Sequence, residues 1–130
     1  MKGKLIEEEL TSDIIAAAIE VHKYWGPGLN EQAYEKSLCR ELRLRQIPFE
    51  TQIPVPLVYK GEKVGEDFRL DLVVKSKVVL ELKAVKALEP VHQAQLLTYM
   101  KLMKCGVGLL INFNVPVLRA GIKRMALSNP

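Results

Sequence analysis

Cysteine is scarce in this chain: there are only two, Cys39 and Cys105, far apart and outside any CxxC pair. That excludes a zinc ribbon and a four-cysteine iron–sulfur cluster within one chain, so neither cofactor is expected and both thiols read as buried apolar residues. Histidine is equally sparse. His22 and His92 have no HxH, HxxxH or cysteine partner, and both read as boundary or surface residues, with His92 kept as a neighbour of Gln95 one helical turn on. No apolar run approaches the roughly 20 residues needed to cross a bilayer; the longest is Val107 to Ile111 with its neighbours. Met1 to Glu9 is charged and no apolar stretch follows a basic start, so no signal peptide is expected. These absences predict a soluble, cytoplasmic protein without a membrane partner. Repeats, low-complexity segments and interdomain linkers are missing as well. The 130 residues, 48% of them hydrophobic, suffice for one core, and a single domain over 1–130 is expected. A net charge of +4 leans toward a polyanionic partner and supports nothing sharper.

The spacing of Ile14, Ile15, Ala18, Ile19 and His22 predicts a helix capped by Thr11 or Ser12 and stopped by Trp25-Gly26-Pro27-Gly28. Asn30 then reads as the N-cap of a second helix whose face carries Ala33, Tyr34, Leu38, Leu42 and, at its end, Arg45. From Thr51 the period changes to two. Ile53, Val55, Leu57 and Tyr59 alternate, while Pro54 and Pro56 mark an edge strand or a bulge. Lys60-Gly61-Glu62 turns the chain, and Phe68 to Lys75 and Val78 to Val85 form a hairpin. Pro90 opens a third helix with Val91, Ala94, Leu97 and Lys101 on one stripe, widened by Leu96, Met100 and Met103. Val107 to Phe113 suits a central strand covered on both sides, and Arg119 to Leu127 a last, more polar one.

The hairpin carries the chemistry. Strand alternation puts Phe68, Leu70, Leu72 and Val74 on one side with Val78, Leu80, Leu82 and Ala84, which sets Val74 against Val78, Leu72 against Leu80 and Leu70 against Leu82. That register places Asp71 opposite Glu81 and Arg69 opposite Lys83, so each facing pair is like-charged and costs stability unless something compensates. Two carboxylates at this spacing suit Mg²⁺, which takes one or two protein carboxylates and keeps waters and phosphate oxygens. Lys83, on the same face as Glu81, would orient water or offset charge on phosphorus. The same three residues also fit the solvated side of an amphipathic sheet, with diagonal attraction of Asp71 to Lys83 and Arg69 to Glu81.

Asp71, nine residues, then Glu81-Leu82-Lys83 resembles the PD-(D/E)XK nuclease signature, and Gly28-Leu29-Asn30-Glu31-Gln32-Ala33-Tyr34 resembles the G-x-x-E-x-x-Y motif of the GxxExxY protein family within that superfamily. Further similar stretches are Gly26-Pro27-Gly28, Ile47-Pro48-Phe49-Glu50, Tyr59-Lys60-Gly61, Glu81 to Val85, Gln95 to Tyr99 and Gly108 to Phe113. The resemblance implies an α/β, restriction-endonuclease-like core: a mixed central sheet flanked by helices, in the order ααβββαββ. It implies Glu31 as an acid reaching the metal site directly or through water, and Gln95 as a positioning group. Tyr99 supports the site, and Tyr34 reads as a packing residue. Glu31 is also an ordinary first-turn acid favoured by the helix dipole, and Gln95 and Tyr99 an ordinary i, i+4 pair on a helix face.

The function expected is Mg²⁺- or Mn²⁺-dependent hydrolysis of a phosphodiester in DNA rather than RNA. Asp71, Glu81 and Glu31 would serve the metal, with Lys83 and Gln95 beside it, and selectivity would come from a homodimer or a partner. The alternative is a catalytically inactive nuclease fold that binds nucleic acid or protein.

Overall fold

A computed structural model describes residues 6–128. Its first helix, α1 (Glu8–Trp25), begins before the expected Thr11 or Ser12 cap. Glu8 and Glu9 occupy the first turn, where acids favour the dipole, and Leu10 already reaches the core. Thr11 therefore lies inside the helix, buried, its hydroxyl donating back to the carbonyls of Glu7 and Glu8 at 3.0 and 3.1 Å. Gly26 and Gly28, at φ 69° and 112°, carry the chain out of α1 through backbone angles that side chains resist. α2 (Glu31–Leu44) starts as expected, with the Asn30 side chain accepting from the Ala33 N–H at 2.8 Å. Its buried face is Tyr34, Leu38, Cys39 and Leu42; Arg45 instead lies exposed in an ion pair with Glu41.

β1 (Phe49–Val55) begins before the expected Thr51 and stops at Val55. Leu57 and Tyr59 do not prolong it. The chain adds a separate two-stranded ribbon, β2 (Val58–Tyr59) and β3 (Glu62–Lys63), around the turn at Lys60 and Gly61. This ribbon interrupts the simple ααβββαββ order. Then follow β4 (Phe68–Val74), β5 (Val78–Lys83), α3 (Pro90–Met103), β6 (Val107–Asn112), a 3₁₀ turn (Leu118–Gly121) and β7 (Ile122–Ala126). The last strand is thus shorter than Arg119 to Leu127, because the 3₁₀ turn takes its beginning.

The main sheet has the order β1-β4-β5-β6-β7, antiparallel except where β5 and β6 run parallel across the α3 crossover. Helices α1 and α2 pack with Leu72, Val74, Leu80, Leu82, Leu109 and Ile111 on one side. α3 covers the other through Leu96, Tyr99 and Met100, against Leu70, Val73, Val79 and Leu110. β6 is buried along its whole length, as a doubly covered strand requires. In α3 the Val91–Ala94 stripe is not the buried one: Val91 is 54% exposed, and the core side runs through Leu96, Tyr99 and Met100. A helix apolar almost all round gives periodicity little to distinguish its faces. Among the described residues no helix is long and apolar enough to cross a membrane.

Candidate nuclease site at a strand fork

Lys75 and Ser76, both at positive φ, close the β4–β5 hairpin with the Lys77 N–H donating to the Val74 carbonyl. The expected pairs Val74–Val78 and Leu72–Leu80 form. Beyond them the expected alternation fails. Leu72 packs on the α1/α2 side, whereas Leu70 packs on the α3 side and the Phe68 ring meets Tyr99 edge-on at 5.3 Å. A continuous pleat would keep residues 68, 70, 72 and 74 on one side, so β4 changes face at Asp71. Across the β1 pairing, Gln52 stands between the pairs Thr51–Leu72 and Ile53–Leu70, and it is left-handed at φ 49°. A left-handed residue breaks the pleat of the edge strand as a bulge does. Arg69 turns toward this kink, Nη1 donating to the Gln52 carbonyl at 3.3 Å, rather than standing over Lys83.

The recorded ladder of β4 and β5 ends at Leu72–Leu80, and side chains take over the bonding at Asp71 and Glu81. The Leu82 N–H donates to Asp71 Oδ2 at 2.8 Å, and the Asp71 N–H points to Glu81 Oε1 at 3.4 Å. The two carboxylates sit together in this fork, and neither has a salt-bridge partner among the described residues. Burial pushes Glu81 up to about 8, aided by the charge of Asp71; the Asp71 N–H and Lys83 pull it down and Glu31 adds repulsion. Burial likewise raises Asp71 to about 6, against the Leu82 hydrogen bond, with Glu35 and Glu31 repelling and Lys83 attracting. Burial, then Glu81 and Asp71, also raise the Tyr99 phenol. The like-charge cost anticipated from the sequence is therefore present, and Lys83 does not cancel it.

Asp71 lines a cleft of about 790 Å³ between α2 and β1, together with Glu31, Glu35, Arg43, Phe49 and Gln52. Glu31 sits exposed in the first turn of α2 and acts on the fork through its charge. Glu35, one turn on, was not singled out by the sequence reading, although i, i+4 spacing from Glu31 puts it on the same face. Gln52 holds it, the amide nitrogen donating to both carboxylate oxygens at 2.9 and 3.1 Å. Gln95 lies exposed on α3, one turn before the buried Tyr99. Among the described residues no group of three or more His, Cys, Asp or Glu is arranged to hold a metal ion, so Asp71 and Glu81 stand as a pair. That pair still fits a hard divalent cation, since Mg²⁺ is commonly held by one or two carboxylates plus waters and phosphate oxygens.

Tyr34 is away from the fork. Its ring stacks on Phe113 at 4.5 Å, and its hydroxyl donates to the Gly26 carbonyl at 2.5 Å and accepts from the Leu29 N–H at 3.2 Å. The tyrosine pins the loop that delivers Glu31. Tyr34→Phe keeps the stack but leaves two backbone groups without their partner, and urea unfolding should show a loss of about 1–3 kcal/mol. His22 bonds through Nε2 to the Val115 carbonyl at 2.8 Å, and His92 Nδ1 accepts from the Glu89 N–H at 3.0 Å at the start of α3. Both histidines are structural, and both cysteines are buried.

A further polar residue, given no role by the motifs, supports the strand that carries Lys83. Asn112, 2% exposed at the end of β6, accepts from the Val85 N–H at 3.0 Å and donates to the Val85 carbonyl at 2.9 Å. It ties down the segment leaving β5 two residues after Lys83. A lone asparagine ending an apolar run was the signal.

No curated protein and no solved structure matches the chain significantly. A family model of the PD-(D/E)XK nuclease superfamily matches residues 8–125, which spans both flanking helix layers, all five strands of the sheet but the last residue of β7, and the fork with Asp71, Glu81 and Lys83. The mixed sheet between helices has the restriction-endonuclease-like form, and the chain belongs to the PD-(D/E)XK nuclease superfamily.

Proposed function

We propose that the protein hydrolyses phosphodiester bonds of DNA with the help of Mg²⁺ or Mn²⁺. The observation that carries this reading is the pair of neighbouring carboxylates, buried Glu81 and half-buried Asp71, bonded to backbone N–H groups and, among the described residues, left without a salt-bridge partner beside Lys83. Two mutually repelling carboxylates cost stability in a folded protein, and a divalent cation is the partner that removes the cost. When bound, the cation would supply Lewis-acid polarisation of the phosphate and a more acidic water.

The chain's own residues do the rest. Asp71 and Glu81 would hold the cation, with the Leu82 N–H fixing the Asp71 carboxylate. Glu31 acts across the cleft, and Glu35, held by Gln52, adds negative charge on the same helix face. Lys83 orients the attacking water and offsets charge growing on the phosphate oxygens. Tyr99 lies on α3 within electrostatic reach of both carboxylates, and Gln95, one turn before it, would serve as a positioning group. The basic balance of the chain favours nucleic acid as partner. A second copy of the chain would supply selectivity, since two-fold homodimers are the commonest closed assemblies. The GxxExxY resemblance through Glu31 and Tyr34 agrees with this reading.

Calorimetric titration of Mg²⁺ and Mn²⁺ into wild type and Asp71→Ala, with cleavage of single-stranded, duplex and branched DNA in the same buffers, tests it. The wild type should bind and cleave, and Asp71→Ala should do neither. Lys83→Ala should keep metal binding and lose about 10²–10³-fold in cleavage rate. Cleavage that survives either substitution refutes the assignment. DNA binding without metal binding or cleavage would identify an inactive nucleic-acid-binding module instead.

A further inference from the structure

Along α2, Glu31, Glu35, Cys39 and Arg43 recur every four residues and all line the cleft that Asp71 shares. The stripe is acidic beside the fork, neutral in the middle and cationic at its far end. We propose that Arg43, seated against the ring of Phe49, is a binding site for a backbone phosphate of the nucleic-acid strand whose scissile bond lies at Asp71 and Glu81. The inference rests on the nuclease reading and extends it by giving the strand a direction across the protein.

Two independent rulers give the spacing. From Glu35 to Arg43 is eight residues of helix, about 12 Å at 1.5 Å each. Along β1, Gln52, which faces Asp71, is three residues from Phe49, about 10 Å. On the axial rise of duplex DNA, about 3.4 Å per nucleotide, this distance is about three nucleotides, and fewer for an extended single strand. The guanidinium lies 5.8 Å from the centroid of the Phe49 ring, and Arg43 has no salt-bridge partner among the described residues, unlike Arg45, which pairs with Glu41 at 2.8 Å. An arginine already oriented against an aromatic ring loses less freedom when it forks onto a phosphate. Past it, a further hollow of about 570 Å³ is lined by Arg43, Gln46, Ile47, Pro48 and Phe49, so the path does not end at the arginine. Complementing the C-terminal dipole of α2 would by itself explain a basic residue here. It would not explain the seat on Phe49 or the shared cleft.

Fluorescence anisotropy of a labelled single-stranded DNA, in Ca²⁺ between 50 and 200 mM salt, tests the site by binding alone. Arg43→Ala should weaken binding several-fold at the lower salt and flatten the slope of log K against log salt by about 0.7. Arg43→Lys should restore the slope, and Arg45→Ala should leave both quantities at wild-type values. An unchanged slope in Arg43→Ala, or an equal loss in Arg45→Ala, overturns the phosphate site even if the wild type cleaves DNA in a metal-dependent way. Absence of metal-dependent cleavage by the wild type refutes the nuclease reading while the Arg43 slope is still read independently. A wild type that binds no oligonucleotide overturns both.

Discussion

Metal-free Glu81→Gln protein is expected to be more stable than the wild type at pH 8, by roughly 2–4 kcal/mol, while losing divalent-cation binding. Burial and the Asp71 charge raise the Glu81 carboxyl from 4.5 to about 8, and burial raises Asp71 from 3.8 to about 6. Between the unfolded and folded values the folded chain holds protons that the unfolded chain has released. Folding then takes up protons, so the stability of the metal-free wild type falls as pH rises, from Asp71 up to about 6 and from Glu81 up to about 8. Glutamine cannot ionise. Its carbonyl can still accept from the Asp71 N–H and its amide can donate to the Asp71 carboxylate, so the variant loses the pH penalty of Glu81 without orphaning its neighbour. Urea unfolding at pH 5, 6.5 and 8 should show the gap between variant and wild type widening with pH. A constant gap, or a wild type that gains stability over this range, would contradict the raised carboxyls of the fork. Metal at about 100 times its Kd should return about 2.7 kcal/mol to the wild type and nothing to the variant. Cleavage should fall by about 10³-fold or more, since the Lewis-acid contribution of several kcal/mol goes with the metal.

Asn112→Leu should act in the opposite direction. The substitution keeps the branched shape of a side chain that is 2% exposed but removes its bonds to the Val85 N–H and carbonyl and to the Asn114 N–H, which donates to Oδ1 at 3.2 Å. Three backbone groups left without this partner cost about 1–3 kcal/mol each, so a loss of at least about 3 kcal/mol is expected in urea unfolding. The Asn114 amide, which reaches the Val85 carbonyl at 3.4 Å, offsets only part of this. Because Val85 follows Lys83 by two residues, cleavage should drop by about 10-fold or more while calorimetry shows metal affinity little changed. A destabilisation under about 1 kcal/mol would mean that the carboxamide is not what holds this segment.

The hairpin register was readable from two facts, the period-two apolar pattern and a turn short enough to allow only one matching of it. That is why the pairs Leu72–Leu80 and Val74–Val78 appear where expected, and why Asp71 and Glu81 come together. The Asn30 cap and the buried β6 followed from equally local signals. What stayed hidden depends on neighbours distant in sequence. The face change between Leu70 and Leu72 accompanies the left-handed Gln52 on another strand, and glutamine carries no turn signature. The ribbon of β2 and β3 has two residues in each strand, too few to show a period. The site's acids were read through motif positions, which reached Glu31 and passed over Glu35, although the helix places both along one cleft. The burial behind the raised carboxyls comes from the whole fold and is not written in any short stretch.

The kink at Gln52 also bears on how molecules of this protein meet one another. β1 is the outer strand of the sheet, and a regular outer strand offers a row of free N–H and C=O groups onto which a second chain could add. Here one residue of that row is left-handed, and another, Pro54, has no N–H to offer. The irregularity that accompanies the opening of the fork thus makes the exposed border a poor template for strand-by-strand growth, so the shape of the fork and the protection of that border rest on the same local departure from a flat sheet.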